Sequence, residues 1–463
     1  MRSQLLSTLL VSVLCASMAS AQTKPKETPP AVAPARDFQI PVVEKFTVAN
    51  GLDVRLVPYG NVPKVNIGLF IRAGNENEAA DQVWLADLVG QEMEQGTATR
   101  SAEQLALEGA RMGGAVDVSV GANQTIVASD ALSASAADMV RLIADVAINS
   151  KLPESEIARL KSDLVRQLSI ARSQPRQLGF EKFMSVLYPN HSYGRVFPTE
   201  SMIAGYTAAQ VKRFYDENFG ADRSTLYVVG RFDRRAVEIA IRDAYGSWKS
   251  GVPALEHSPS PTSRRALHLI DRPDSVQSTI YLGLPVVSPS NPDYLSVLVM
   301  NALLGGSFGS RITSNIREQK GYTYSPNSQV SVRLKAGHWV EIADVTTNVT
   351  GPSLKEIFFE IDRLRGEAPS RDELKGIQNY LAGVFVLQNS TRAGIMNLLN
   401  FVDLHGMSED YLRSYVRNVH ALSPADIQRM AQRYVDPGKT AIVIVGDQKA
   451  IREQITPYGT IAP

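Results

Sequence analysis

The chain has 463 residues, of which 44% are hydrophobic and 21% charged, a composition typical of a globular protein. Its 48 Lys and Arg residues nearly balance its 47 Asp and Glu residues, so no net field attracts nucleic acid or anionic lipid, and we exclude both as principal partners. A chain of this length exceeds what one hydrophobic core usually supports, which predicts two or more domains.

The N-terminus has the pattern of a secretory signal peptide over residues 1–21. Arg2 precedes the apolar run LLSTLLVSVLCASMA, and small residues end the segment at Ala21, after which we expect cleavage. The run is too short for a membrane anchor. The only cysteine, Cys15, follows Leu14 rather than a small residue, which argues against lipidation. We therefore expect a periplasmic or secreted protein whose mature chain has no disulfide.

Two proline-rich stretches divide the mature chain. Residues 22–37 contain TKPKETPPAVAPARD, which cannot pack a core and predicts a linker. Residues 251–265 have the same character. The predicted domains are therefore an N-terminal one at 38–250 and a C-terminal one at 266–463.

The two halves repeat each other. TAAQVKRFYDENFGADRSTLYVVG begins at Thr207, and SPADIQRMAQRYVDPGKTAIVIVG begins at Ser423, an offset of 423 − 207 = 216 without a gap. Both segments predict a capped helix, a turn and an apolar strand. Pro153 and Pro369 are separated by the same offset, and each opens a predicted amphipathic helix. An internal duplication therefore predicts the same fold twice.

Within each half, strands and helices form separate runs. NGLDVRLVP predicts a hairpin, VNIGLFIRAG a buried strand, and AVDVSVGANQTIVAS a strand that alternates with period two. The segments ASAADMVRLIADVAIN and GPSLKEIFFEIDRLRG predict helices. We therefore predict the α+β class, with two tandem homologous α/β sandwich domains, each an antiparallel sheet with helices packed on one face.

Four segments carry a family resemblance. NGLDVRLVP, GLFIRAGNENE, GTATRS and IREQKGYTYS together resemble the pitrilysin/insulinase family of zinc peptidases, which includes the mitochondrial processing peptidases. Catalytic members of that family carry H-x-x-E-H on a helix. The two histidines share one helix face and bind zinc, while the glutamate between them is the general base. A glutamate on a later helix is the third ligand.

This chain departs from the family pattern at each of those positions. The helix WLADLVGQEMEQG places Asp87 and Gln91 where the histidines fall and Gly90 where the base falls. The family's third ligand belongs to a pair of glutamates on the later helix, and that pair aligns with Arg166 and Gln167 here. We therefore expect no metal and no cofactor in this chain, and no peptidase activity by the chain alone, so that any zinc belongs to a partner.

Two other groups of side chains are candidates for a metal site. No two of the histidines are spaced to share a helix face with a carboxylate base between them. These histidines are His191, His257, His268, His338, His405 and His420. An acidic group near the lost motif, Asp81, Asp87, Glu92 and Glu94, is compatible with a hard-cation site, but a solvated helix face explains it better.

The second half retains a pair that the resemblance marks as functional. In catalytic chambers of the family, an Arg and a Tyr seven residues later reach the peptide carbonyl, and Arg317 and Tyr324 have that spacing here. The alternative is a surface arginine and a packed tyrosine. Upstream, Gly305, Gly306 and the Ser307-Phe308 dipeptide resemble a glycine-rich, substrate-binding loop, although a helix C-cap explains the glycines equally well.

The resemblance therefore implies a non-catalytic, substrate-binding subunit of a heteromeric periplasmic zinc metallopeptidase. Its expected partners are a homologous subunit that carries H-x-x-E-H and a peptide or unfolded polypeptide substrate. The alternative is a peptide-binding or scaffold protein of the same superfamily with no proteolytic role. That alternative does not require Arg317 and Tyr324.

Overall fold

The computed structural model describes residues 37–254 and 258–462. The predicted signal peptide with Cys15, all of the first linker but its last residue, and His257 lie outside the described residues. Within the described ranges, no helix is both long and apolar enough to cross a membrane.

The first half contains a sheet and a helix layer. Its elements are β1 (Glu44–Thr47), β2 (Asp53–Pro58), β3 (Lys64–Ile71), α1 (Leu85–Met93), α2 (Ala102–Met112), β4 (Asp117–Val120), β5 (Thr125–Leu132), α3 (Ala136–Ile148), α4 (Glu154–Ser173), α5 (Pro175–Leu187), α6 (Glu200–Gly205), α7 (Ala208–Asn218), β6 (Ser224–Gly230) and α8 (Arg234–Tyr245).

The second half repeats this order with a π-helix at the position of α2. Its elements are β7 (Ala266–Asp271), β8 (Gln277–Val286), α9 (Tyr294–Leu304), the π-helix Thr313–Gln319, β9 (Asn327–Arg333), β10 (Ala336–Thr346), α10 (Thr350–Gly366), α11 (Arg371–Gln388), α12 (Arg392–Leu404), α13 (Asp410–Ala421), α14 (Pro424–Tyr434), β11 (Ala441–Gly446) and α15 (Gln448–Ile455).

The two sheets have the same topology. The first has the strand order β1-β2-β6-β3-β5-β4, and the second has the order β7-β11-β8-β10-β9, so β7 corresponds to β2 and β11 to β6. The strand pairs are antiparallel apart from β2–β6 and β7–β11, which are parallel. The predicted α+β class and its duplication are confirmed, and the structure adds one parallel pair to each sheet.

Alternation along β3 shows how a sheet is covered on both faces. Val65, Ile67 and Leu69 are fully buried in the core that the sheet shares with its own helices. Phe70 belongs instead to the core of the second half. Because successive side chains of a strand point to opposite faces, the far face of the first sheet is covered by elements from the second half.

The two halves exchange one helix each. Helix α12 packs against β3 and β6, and α5 packs against β8 and β11. Both helices lie close to the strands that they cover. A Cβ on Gly68 of β3 would lie 2.9 Å from Met396 Sδ of α12, and one on Gly179 of α5 would lie 2.7 Å from the Tyr281 ring of β8. The sequence predicted helices on one face of each sheet, and the structure adds this exchanged helix on the other face.

Candidate functional site

Helix α1 occupies the position of the family's metal-binding helix. It begins after Trp84, whose backbone is left-handed with φ of 69°. A left-handed conformation costs an L-residue about 1–2 kcal/mol. The indole holds the conformation, because Nε1 donates to the carbonyl oxygen of Val196 at 3.0 Å and the ring packs edge-on against Phe197.

Asp87, at the first histidine position, belongs to a hydrogen-bonded carboxyl pair. Asn75 Nδ2 donates to Asp87 Oδ2 at 2.7 Å and to Glu78 Oε1 at 3.1 Å. Glu78 also accepts from the backbone N–H of Ala86 at 2.9 Å. Burial, reinforced by the Asp87 charge, raises the pKa of Glu78 to about 8, and burial also raises the pKa of Asp87. Asn75 therefore joins the two carboxyl groups, and Glu78 also holds the start of α1 through the Ala86 N–H.

The remaining positions of the motif supply no zinc ligand set. A Cβ on Gly90 would lie 2.7 Å from Val120 Cγ2, so β4 already occupies the space of a catalytic base. On α4, Arg166 pairs with Asp163 at 3.1 Å, and Gln167 is exposed. With no imidazole and a single carboxylate among the aligned positions, these residues do not fit zinc.

The acidic residues near α1 do not act as one cluster. Asp81 and Glu94 are exposed, and Glu94 accepts from the backbone N–H of Val118 at 2.8 Å. Glu92 is fully buried against α4, and neither carboxylate oxygen has a hydrogen-bond partner among the residues that the structure describes. Burial and the nearby Glu156 raise its pKa to about 7. Over residues 37–254 and 258–462, no group of three or more His, Cys, Asp or Glu side chains could hold a metal.

Three of the predicted site residues meet at the surface of the second half. Arg317 lies in the π-helix, and its guanidinium carbon is 4.5 Å from the centre of the Phe308 ring and 4.8 Å from that of the Tyr324 ring. Phe308 is 67% exposed and Tyr324 is 81% exposed. We call Phe308, Arg317 and Tyr324 the arginine clamp. Short π-helices frequently mark functional sites.

The glycines of the predicted loop are packed inward. The N–H groups of Gly305 and Gly306 both donate to the carbonyl oxygen of Asn301. These hydrogen bonds cap the C-terminal end of α9. A Cβ on Gly305 would lie 2.6 Å from Ser328 Oγ and 2.7 Å from Glu341 Oε2. The Ser307 hydroxyl is buried without a hydrogen-bond partner. Helix capping and close packing therefore explain both glycines, and Phe308 alone of the four residues is exposed.

Glu341 was not predicted from the sequence. It lies on β10 and is fully buried, and within the described residues neither carboxylate oxygen has a well-formed hydrogen bond. Burial raises its pKa well above the usual value, and the nearby backbone N–H of Asn327 acts in the opposite direction. The signal in the sequence was a charged residue inside the apolar strand GHWVEIADV.

Comparison with known proteins agrees with this architecture. Residues 57–197 match the family model described as "Insulinase (Peptidase family M16)", and residues 205–381 match the one described as "Peptidase M16 inactive domain". The chain belongs to the peptidase M16 family. This M16 chain carries Asp87, Gly90 and Gln91 in place of the family's H-x-x-E-H residues.

Relatives of this M16 chain match along most of their length. An uncharacterized zinc protease of Rickettsia bellii is 23% identical over 87% of this chain and 98% of its own length. One from Bacillus subtilis is 23% identical over 75% of this chain and 84% of its own length.

Solved structures show the same fold. A peptidase M16 inactive domain from Pseudomonas fluorescens superposes with a TM-score of 0.81 at 22% identity, covering 88% of this M16 chain and 98% of that one. A protease from Helicobacter pylori superposes with a TM-score of 0.83 at 18% identity, covering 88% and 100% of the two chains.

Proposed function

We propose that this M16 chain is the non-catalytic, substrate-binding subunit of a heteromeric zinc metallopeptidase of the periplasm or the cell exterior. In this complex Arg317 and Tyr324 complete the active site of a homologous partner that carries H-x-x-E-H. The observation that carries the proposal is the arginine clamp, where a guanidinium is held at the surface by two aromatic rings that are more than half exposed. The predicted signal peptide supports the location.

The two halves of the chain differ in the side chains that they could contribute to a reaction. In the first half, the lost motif has become a carboxyl pair satisfied by Asn75 and the backbone. In the second half, Tyr324 is exposed and the Arg317 side chain is partly exposed. This chain lacks the zinc ligands but keeps the hydrogen-bond donors Arg317 and Tyr324. That combination suits a subunit that contributes donors to the active site of another chain.

The chemistry of the proposed site follows from these donors. The partner's zinc would supply the activated water. Arg317 donates hydrogen bonds from a permanent cation to the carbonyl oxygen of the peptide, where negative charge develops in the transition state. Tyr324 offers a neutral O–H donor next to it. Both residues bind and orient the peptide, and neither transfers a proton.

The test is to express the mature chain together with the H-x-x-E-H homologue from the same genome. We expect Arg317→Ala to leave the complex intact by size-exclusion chromatography and to lower kcat/KM on unfolded peptides by roughly one hundredfold, the scale of a lost oxyanion donor. Tyr324→Phe should cost less, because it removes one neutral hydrogen bond.

Arg141→Ala is the matched control, since Arg141 is an exposed arginine whose ion pair in the described part of the chain is with Asp138 on its own helix. It should leave the rate unchanged. Unchanged turnover in an intact complex that carries both Arg317→Ala and Tyr324→Phe would reject the role in catalysis and favour the scaffold alternative.

A further inference from the structure

The exposed rings of the arginine clamp have a feature in common. Most large exposed side chains of a protein are isolated, but Phe308 and Tyr324 contact the same guanidinium. A guanidinium is attracted to the face of an aromatic ring. Two such contacts on one side chain restrict where the guanidinium can lie.

The edge of the guanidinium is left open by this arrangement. Glu318 pairs with Nε at 3.2 Å. In the part of the chain that the structure describes, no other acceptor contacts the Arg317 side chain. The terminal amino groups therefore keep their N–H donors for a ligand. Their parallel arrangement suits an oxygen acceptor that lies in the plane of the guanidinium.

The position of Phe308 depends on the packed turn before it. Gly305 and Gly306 are held by the carbonyl oxygen of Asn301, and Gly305 lies directly against Ser328 and Glu341. A side chain at Gly305 would push this turn away from the sheet. The turn therefore determines where the Phe308 ring meets Arg317.

We infer that Phe308 is a positioning residue that, together with the Tyr324 ring, holds the Arg317 guanidinium with its open edge toward the peptide carbonyl. The inference rests on the proposed function and adds a residue to it. An unrestrained arginine loses much rotamer freedom when it binds, and the two rings remove that freedom beforehand. The ring of Tyr324 therefore contributes as well as its hydroxyl, so Tyr324→Ala should cost more than Tyr324→Phe.

The first experiment measures the clamp in the full mature chain without any partner. Arginine modification by phenylglyoxal is followed at Arg317 by peptide mass mapping. Phe308→Leu should raise the modification rate by about threefold, because a stacked face becomes accessible, and Phe308→Trp should restore the original rate. Equal rates in all three proteins would show that the ring does not hold the guanidinium and would overturn the inference.

The second experiment is a double-mutant cycle in the assembled peptidase. Phe308→Leu should lower kcat/KM by about tenfold in the wild-type background and have no further effect once Arg317 is alanine, because Phe308 acts through Arg317. Phe308→Trp should recover most of the rate. An equal loss in both backgrounds would mean that Phe308 contacts the peptide itself and is not a positioning residue.

The two ideas fail in different ways. If Arg317→Ala leaves turnover unchanged, the proposed function fails, and the positioning role in catalysis fails with it. If Arg317→Ala is impaired while Phe308→Leu is not, the proposed function stands and the inference is wrong. Gly305→Ala should resemble Phe308→Leu in the modification experiment, because it displaces the turn.

Discussion

At the scale of single residues, the chain buries carboxyl groups such as those of Glu341 and Glu92 away from water. Both are fully buried, and in the described ranges neither oxygen of either group has a well-formed hydrogen bond. An ionised carboxylate in such a place is expensive, so the proton stays on and the pKa rises. These groups make the stability of the chain depend on pH.

The first prediction concerns Glu341→Gln. The pKa of Glu341 in the folded chain is raised above its usual 4.5. The free energy of unfolding is therefore highest below pH 4.5, where Glu341 is protonated in both states, and it falls as pH rises toward the folded-state pKa. The neutral variant lacks this loss. Its gain in unfolding free energy over the wild type should therefore be near zero at acidic pH and grow by up to about 1.4 kcal/mol per pH unit.

Urea unfolding at a series of pH values measures this gain. Exposed Glu103→Gln is the control and should show no such slope. A difference between Glu341→Gln and the wild type that stays constant across pH would contradict a raised pKa at Glu341.

At the scale of elements, α1 is a helix like the metal-binding helix of the family, but its side chains make other contacts. Trp84 begins it in a left-handed conformation, Asp87 is satisfied by Asn75, and Gly90 lies against Val120. The helix is therefore retained as part of the core, with seven of its nine residues buried.

The second prediction is that restoring the motif on α1 does not restore an enzyme. In the variant with Asp87→His, Gly90→Glu and Gln91→His, the new glutamate must displace Val120, and exposed Gln167 still supplies no third ligand. We expect less than one zinc per chain by elemental analysis and no peptide hydrolysis.

The wild-type chain is the baseline of that experiment and should hold no stoichiometric zinc. Adding Gln167→Glu to the triple variant tests the third ligand and should raise zinc content. Stoichiometric zinc together with chelator-sensitive hydrolysis by the triple variant would show that the lost site is easily rebuilt.

At the scale of the whole molecule, the two halves are interlocked by their exchanged helices. Tyr227 Oη of the first sheet donates to Asp403 of α12 at 2.6 Å. Arg176 of α5 pairs with Asp344 of the second sheet at 2.7 Å. Each half therefore uses the other to cover one face of its sheet.

The third prediction is that residues 38–250 do not fold alone. Without α12, the face of the first sheet that carries Phe70, Tyr227 and Val229 would be open to water. We expect this fragment to aggregate or to lack a cooperative thermal transition by near-UV circular dichroism. Co-expression with residues 266–463 should give a soluble complex that elutes with the intact chain.

The intact chain cut by a protease between residues 251 and 265 is the control and should stay assembled, because the contacts across the halves do not need the linker. Cooperative unfolding of the isolated fragment 38–250 would contradict interdependence of the halves.

Much of the fold could be predicted from the sequence because its signals are local. Alternation and helical periodicity predicted the strands and helices, and the gapless offset between Thr207 and Ser423 predicted the duplication that the matched strand orders confirm. The loss of H-x-x-E-H is also local, since three positions of one helix, Asp87, Gly90 and Gln91, decide it. The roles of Arg317 and Tyr324 remain a prediction.

Other features depend on residues that are distant along the chain, which no local pattern encodes. The family and its missing ligands were determined by the order of residues alone, because a motif is read by spacing. Only the tertiary structure placed α12 on the first sheet, Asn75 and Glu78 beside Asp87, and Phe308 on Arg317. The physical reason is that burial and stacking arise only when distant segments of the chain pack together. From the sequence alone, Phe308 could lie in the core, stand free on the surface or stack on an arginine.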